Sequence, residues 1–200
     1  MQLKRSPLTV RGITFSAMFA ALLVALSFVN IHVGFSPVPI TMSNFAIMLA
    51  GALLGARYGF FSIALVVGLT AAGLPLLHGR GGLDLILGPT GGFIWAYPLA
   101  ALFIGWMIPR IKGKGVPAFI FTFGVLMLFG SLLLYVTGVP WMMHVVPNMT
   151  FAKAMAVGCY PFLIGDALKA VIATLIIVPV RHMYPASRLV GGQTKAWAAR

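Results

Sequence analysis

Acidic residues are almost missing from this sequence. Of 200 residues only two are acidic, Asp84 and Asp166, and none is Glu, against 14 Lys and Arg. Hydrolysis inside a membrane requires paired carboxylates, a Ser/His pair or a His/Glu metal motif, and two distant Asp residues supply none of these. The composition therefore argues against an enzyme.

Cysteine is equally scarce, and the histidines are scattered. The single Cys159 excludes a disulfide within a monomer and a multi-thiolate metal site, so we interpret it as a packing residue. Four histidines show no metal-ligand spacing. The Walker pattern is absent, and no strand precedes the run from Gly79 to Gly82, so no nucleotide site is predicted. We expect neither a metal nor any other cofactor.

What the sequence does contain is apolar length. Hydrophobic residues make up 60% of the chain and charged residues 8%, with a mean hydropathy of +1.03. A water-soluble domain of this size does not carry such a composition. The apolar residues extend along the whole chain and are broken only by short Gly, Pro and Arg/Lys clusters. We therefore predict an all-α polytopic membrane protein, with residues 1–200 forming one transmembrane domain.

The breaks in the apolar pattern predict six transmembrane helices. A very tight connection at Arg57 and Tyr58 makes helices two and three antiparallel neighbours. Residues 75–92 are rich in glycine and predict a structured loop, whereas 138–161 predict an interfacial loop with a short helical piece. The predicted helices are residues 12–29, 41–56, 59–74, 93–108, 117–137 and 162–180.

The distribution of Lys and Arg predicts that both termini are cytoplasmic, because cytoplasmic loops carry the excess of positive charge. Arg80 and Lys153 then lie outside, and Lys169 lies in the outer part of helix six. The net charge of +12 is explained by this topology rather than by nucleic acid, because the basic residues stand at the ends of apolar spans. The other eleven are inside: Lys4, Arg5, Arg11, Arg57, Arg110, Lys112, Lys114, Arg181, Arg188, Lys195 and Arg200.

Asp166 and Lys169 are the strongest candidates for a site. They stand three residues apart, so on a helix both side chains project from one face and can meet one ligand. A charge at membrane depth costs roughly 2.5 to 3.5 kcal/mol on insertion scales, so it usually marks a functional cavity. The alternative is an internal ion pair that only holds helices together.

Small residues form further patterns. Ala17, Ala21 and Ala25 recur every four residues on helix one, and Gly51, Gly55 and Gly59 recur likewise near helix two. Such flat faces allow close helix contact, either within the bundle or with another subunit, and spacing alone leaves both open. In the glycine-rich loop, the segment from Gly88 to Gly92 suggests one defined turn with Thr90 able to cap helix four. The glycines at 79–82 provide either a loop that closes over a ligand or a flexible loop.

Several of these motifs together resemble the BioY family, the biotin-binding S components of energy-coupling factor (ECF) transporters. The resemblance covers nearly all the chain, although Ser43 stands where the family often has Gln and Gly79-Arg80 is unusually basic. The motifs are Pro37-Val38-Pro39-Ile40-Thr41, Leu49-Ala50-Gly51-Ala52-Leu53-Leu54-Gly55, Ala72-Gly73-Leu74-Pro75, Gly81-Gly82-Leu83, Gly88-Pro89-Thr90-Gly91-Gly92-Phe93 and Gly165-Asp166 with Lys169.

The resemblance implies a protein of the bacterial cytoplasmic (inner) membrane that binds biotin near the outer face. It also implies a transmembrane T component, docked on the Ala17, Ala21 and Ala25 stripe, and two cytosolic ATPases. The basic C-terminal tail would contact membrane lipid. Asp166 would accept from the ureido N–H groups of biotin, and Lys169 would donate to a carbonyl or carboxylate. The other expected ligand contacts are Thr41, Arg80, Gly81, Gly82, Thr90, Gly91, Gly92, Phe93, Trp95 and Tyr160.

Three other functions remain open from the residues: an S component for another vitamin, a self-contained secondary carrier, and a purely structural membrane subunit. A secondary carrier would be expected to show an internal repeat with interrupted helices in matching halves. The sequence contains no convincing repeat of this kind.

Overall fold

The computed structural model describes residues 9–31, 34, 40–111, 113 and 115–191, and these are almost entirely helical. A two-stranded antiparallel ribbon, β1 (Asn30–Ile31) with β2 (Ile40–Thr41), joins the first two helices. The helices are α1 (Val10–Ser27), α2 (Ser43–Ala71), α3 (Leu83–Leu87), α4 (Gly91–Met107), α5 (Val116–Met127), α6 (Leu133–Val145), α7 (Phe151–Gly158), α8 (Tyr160–Met183) and α9 (Ala186–Leu189).

Helix α2 is a hairpin of two membrane-crossing halves. The two halves meet at Gly55, which has φ 80° and ψ 176°, a conformation that essentially only glycine adopts. In a straight helix residues 51 and 59 would lie about 12 Å apart. Here a Cβ built on Gly59 would lie 3.0 Å from Cα of Gly51. The predicted tight connection is therefore confirmed, but the chain reverses at Gly55 rather than at Arg57 and Tyr58.

Glycines also set the distance between α2 and α4. A Cβ on Gly51 would lie 2.6 Å from the carbonyl oxygen of Ala101, and one on Gly105 would lie 2.3 Å from the backbone nitrogen of Ala56. Helices pack this closely in a membrane where no side chain separates the backbones. The glycine pattern near helix two thus serves the interior of the bundle.

The second half of the chain differs from the sequence prediction at residues 138–145. We predicted a loop there because residues 138–161 are longer than a turn and mix aromatic, polar and Pro residues, yet the helix continues from α5 through a π-helical turn (Leu128–Leu132) and α6 to Val145. Gly138 lies under the ring of Phe93, and a Cβ there would come within 2.4 Å of that ring. Pro is tolerated in transmembrane helices. The predicted interfacial loop is reduced to 146–150, followed by the short helix α7.

Hydrogen bonds join the helices at the end that carries most of the described arginines. The backbone N–H of Thr9 donates to the Tyr58 hydroxyl at 2.9 Å. On α8, Arg181 donates to the carbonyl of Ala52 at 2.9 Å, just before the break at Gly55. Helix ends leave carbonyl groups without partners, and Arg181 satisfies one of them.

The six predicted membrane crossings are confirmed, and the described basic residues, apart from Arg80, Lys153 and Lys169, lie at the end predicted to be cytoplasmic. Five helical stretches are long and apolar enough to cross a membrane, and α2 crosses twice because of its break at Gly55. The crossings are α1, the two halves of α2, α4, α5 with α6, and α8. Lys4, Arg5, Lys112, Lys114, Lys195 and Arg200, which were counted for the topology, lie outside the described residues.

Candidate functional site

Helix α8 places the acid and the base of the sequence motif side by side, as predicted. The Nζ atom of Lys169 lies 2.9 Å from Oδ1 of Asp166. Asp166 is 4% exposed and Lys169 8% exposed. A buried charge is tolerated only when it is paired and hydrogen-bonded, so the two charges depend on each other.

Tyr135 of α6 completes the bonding of the carboxylate. Its hydroxyl donates to Oδ2 of Asp166 at 2.5 Å, so that both carboxylate oxygens accept a hydrogen bond. Hydrogen bonds to an ionised acceptor are shorter and stronger than those between neutral groups. Tyr135 therefore holds the carboxylate in one orientation and links α6 to α8.

The ammonium group of Lys169 also bonds two residues at and just before the start of α2. It donates to the backbone carbonyl of Thr41 at 2.6 Å and to Oδ1 of Asn44 at 3.1 Å, in addition to Asp166. A lysine ammonium has three N–H donors, and these three acceptors account for all of them. The cluster Thr41, Asn44, Tyr135, Asp166 and Lys169, here called the polar cluster, thus joins α2, α6 and α8.

A cavity of about 50 Å³ adjoins the polar cluster. Its remaining wall is mostly apolar and aromatic. One end of the cavity is therefore polar and the other apolar, as in sites for small organic molecules. The lining residues are Thr41, Asn44, Phe93, Tyr97, Leu134, Tyr135, Gly158, Phe162, Asp166 and Lys169.

Four of the residues predicted from the sequence meet at this cavity: Thr41, Phe93, Asp166 and Lys169. They come from three different helices or their ends, α2, α4 and α8. The structure brings them together at the outer end of the bundle, opposite the arginine-rich end.

Trp95 and Tyr160 lie elsewhere, which corrects the expectation that they line the apolar part. On α4, Phe93 and Tyr97 face the cavity, and a position two residues from Phe93 is rotated by about 200°. Trp95 therefore faces outward, where its ring lies 4.1 Å from that of Trp141 in a separate groove. Tyr160 is exposed for the same reason, and Phe162, two residues later, lines the cavity instead.

The predicted residues of the glycine-rich loop have packing roles in the structure. A Cβ on Gly81 would lie 2.2 Å from the carbonyl oxygen of Leu74, and one on Gly91 2.0 Å from that of Ile86. Gly82 has φ 93°, in the region that favours glycine. The loop is structured, as predicted, and contains α3.

Three further members of that loop are also placed away from the lining of the cavity. A Cβ on Gly92 would lie 2.3 Å from Cβ of Trp141. Arg80 is exposed. Thr90 occupies the N-cap position of α4 but makes no side-chain capping bond, contrary to the prediction, because its backbone is already in the helical region (φ −89°, ψ −7°).

The sequence analysis did not find Asn44, Tyr97, Tyr135 or Phe162, all of which line the cavity. The available signal for Asn44 and Tyr135 was a polar group within an apolar span, which is the same signal that identified Asp166. No such signal marks Phe162, because aromatic residues occur on every face of these helices.

The alanine stripe, Ala17, Ala21 and Ala25, lies on the outward face of α1. All three residues are exposed, whereas Ala20 and Leu23 of the same helix are buried. The stripe is therefore a surface of the bundle rather than an internal contact. Within the described part of the chain, no group of three His, Cys, Asp or Glu residues lies close enough to hold a metal ion.

Comparison with known proteins identifies the family of this chain. The model of the BioY family matches residues 1–186. The "Biotin transporter BioY" of Rhizobium etli is 37% identical over 183 residues, which are 89% of this chain and 97% of that protein. The protein of the same name from Rhodobacter capsulatus is 35% identical over 193 residues, which are 91% of this chain and 99% of that protein.

A solved structure shows the same fold. It is a crystal structure of the S-component for biotin from an ECF-type ABC transporter, and it superposes with a TM-score of 0.79 at 31% identity. The match covers 86% of this chain and 92% of the other. Together with the family match over residues 1–186, these similarities show that the chain is a member of the BioY family.

Proposed function

We propose that this chain is the biotin-binding S component of an ECF transporter, and that it captures biotin from the outer side of the cytoplasmic membrane. The observation that carries the proposal is the polar cluster beside an aromatic cavity at the outer end of the bundle. The relatives are named biotin transporters, and the structural match is an S component for biotin.

The chemistry of biotin is complementary to the two ends of this cavity. Its ureido ring carries N–H donors and a carbonyl acceptor, its thioether ring is apolar, and its side chain ends in a carboxylate. Asp166 is the acceptor for the ureido N–H groups, and Lys169 is the donor to a carbonyl or the carboxylate. Phe93, Leu134 and Phe162 supply apolar surface for the ring.

Binding must rearrange this end of the bundle. Ligand pockets of small organic molecules have volumes of about 300 to 1,000 Å³, several times the cavity described here. All three N–H donors of Lys169 and both oxygens of Asp166 already have partners within the protein. A group of biotin that accepts from Lys169 therefore displaces Thr41 or Asn44, whereas the Asp166 carboxylate, with about four lone-pair sites, keeps capacity to accept from the ureido N–H groups.

The relatives are named biotin transporters, and the sequence contains no Walker motif for ATP hydrolysis. We propose that partner ATPases hydrolyse ATP and that a transmembrane T component docks on the alanine stripe of α1. The stripe is exposed and bears no side chain larger than a methyl group, so a second helix can approach its backbone closely. In this proposal residues 1–200 act as one domain.

Tryptophan fluorescence of the purified protein, titrated with biotin and with other vitamins, tests the substrate. We expect saturable binding of biotin and no response to the other vitamins. Saturation by a different vitamin alone would make the chain an S component for that vitamin. Biotin uptake by vesicles that contain this chain without ATPases would instead indicate a self-contained carrier.

A further inference from the structure

At the cytoplasmic end of α4, a cation is held directly over an exposed aromatic ring. The Cζ atom of Arg110 lies 3.9 Å from the centroid of the Trp106 ring, and its guanidinium also donates to the backbone carbonyl of Trp106. A guanidinium within about 6 Å of a ring face is attracted by the ring quadrupole. Trp106 is 50% exposed and Arg110 is exposed, so the pair faces the surroundings of the bundle.

An apolar groove continues from this pair along α4. It has a volume of about 220 Å³ and is lined by Leu102, Phe103 and Trp106. The Phe103 ring is held against Phe129 of the π-helical turn, with their centroids 5.3 Å apart. The residues that line the groove belong to a membrane-crossing helix, so the groove faces the hydrocarbon of the bilayer.

Neither acidic side chain of this protein serves as a counter-charge for Arg110. The chain has only two acidic side chains, of which Asp84 lies on α3 at the outer end and Asp166 is bonded to Lys169. The nearest charged residues that follow in sequence, Lys112 and Lys114, have the same sign as Arg110. A guanidinium has five N–H donors, and among the described residues the structure pairs Arg110 with a single carbonyl acceptor.

Two other arginines at the same end, Arg181 and Arg11, do not share this arrangement. Arg181 is partly buried and donates to the carbonyl of Ala52. Arg11 lies 6.0 Å from the Phe15 ring, at the limit of a cation–π contact. Arg110 combines an exposed guanidinium, a fixed geometry and an adjoining apolar groove.

We propose that Arg110, Trp106, Phe103 and Leu102 form a binding site for an anionic phospholipid of the inner leaflet. The phosphate accepts from the guanidinium, which matches it in bidentate geometry, and an acyl chain lies along the groove. The cytoplasmic leaflet carries the anionic lipids, and its negative surface attracts juxtamembrane cations. The site is at the opposite end of the bundle from the polar cluster and is independent of the proposed substrate.

Quenching of Trp106 fluorescence by brominated lipid tests the site. The full chain is reconstituted into phosphatidylcholine vesicles that contain a minor fraction of either brominated phosphatidylglycerol or brominated phosphatidylcholine. Because the chain has four Trp residues, the Trp106 signal is obtained by subtracting the Trp106→Phe variant. We expect brominated phosphatidylglycerol to quench this signal about fivefold more strongly than brominated phosphatidylcholine does. A preference of this size is what one basic residue near an anionic surface confers.

Two arginine variants distinguish a site from diffuse attraction. Arg110→Gln should abolish the preference, whereas Arg188→Gln, which removes an equal charge from an exposed position on α9 at the same end, should leave it unchanged. Elution as a single species on size exclusion controls for folding. An unchanged preference in Arg110→Gln, or an equal loss in Arg188→Gln, would overturn the proposal. Loss of co-purifying transporter subunits in Arg110→Gln with an unchanged lipid preference would also overturn it, in favour of a protein partner.

Discussion

Helices α8 and α1 present opposite kinds of surface, although both are long apolar membrane spans. In its outer half, α8 buries an acid and a base that bond each other and are also bonded by Thr41, Asn44 and Tyr135. The stripe of α1 is exposed and contains only Ala17, Ala21 and Ala25. The first surface is suited to recognise a polar solute and the second to dock a flat helix. In the function proposed above, this difference separates the binding of biotin from its transport.

The largest effect is expected from Ala21→Trp on the stripe, which should abolish biotin uptake in cells that carry the T component and the ATPases. An indole would hold two helices apart where close approach depends on methyl-sized side chains. Biotin affinity should remain nearly unchanged, because α1 contributes no residue to the lining of the cavity. Uptake, co-purification with the T component and equilibrium biotin binding are the measurements.

Ile120→Trp is the control, because Ile120 is exposed on α5, away from the stripe and from the lining of the cavity. It should leave uptake intact. Retained co-purification in Ala21→Trp would remove the docking assignment, and loss of biotin binding in that variant would show that the stripe belongs to the binding bundle.

Asp166→Asn should weaken biotin binding by about 3 kcal/mol, or about a hundredfold in Kd. The substitution keeps the shape of the side chain but removes the charge that accepts from Tyr135 and Lys169. Isothermal titration of the purified variant measures the change. Asp84→Asn removes the only other acid, which is exposed, and should have no effect. Equal affinities of the wild type and a folded Asp166→Asn variant would leave the ion pair a purely structural role.

Lys169→Ala should also weaken binding, by roughly 1.5 to 3 kcal/mol, because hydrogen bonds to charged groups are worth that much. Together with Asp166→Asn it forms a double-mutant cycle. Since each residue bonds the other, the double variant should lose less than the sum of the two single losses. Strict additivity of the measured binding free energies would argue that the two residues act separately.

Tyr135→Phe should have the smallest effect, about 1.5 kcal/mol or about tenfold in Kd, because it deletes one hydrogen bond to Asp166 and keeps the ring. Tyr160→Phe, on the exposed start of α8, should be neutral. Parallel titrations of the two variants compare the tertiary arrangement with the prediction made from the sequence. Weaker biotin binding by Tyr160→Phe, together with unchanged binding by Tyr135→Phe, would favour the prediction made from the sequence.

The helix ends that could be predicted from the sequence are those marked by nearby residues. The helix ends at 12–29 and 93–108 agree with α1 and α4 to within two residues, because Pro, Gly and charged clusters mark them. The end of α6 was predicted eight residues too early, because the packing of Phe93 on Gly138 is a tertiary contact that no local signal reveals.

The residues of the candidate site also fall into those that the sequence reveals and those that only the structure shows. Asp166 and Lys169 were found because the sequence alone shows a charge in an apolar span, and because a spacing of three residues places both on one helix face. Trp95 was placed at the cavity and Phe162 was missed because the rotation of a helix about its axis is not encoded in hydropathy.

The sequence by itself determined the membrane location and the six crossings, predicted cytoplasmic termini, and placed Asp166 and Lys169 on one helix face. Only the tertiary structure decided that Tyr135 and Asn44 complete the polar cluster, that Gly51 faces inward and that Ala21 faces outward. The physical reason is that lipid tails are as apolar as the interior of the bundle, so both faces of a membrane helix carry similar residues. Which face is buried is then decided by close packing between helices rather than by a hydrophobic pattern.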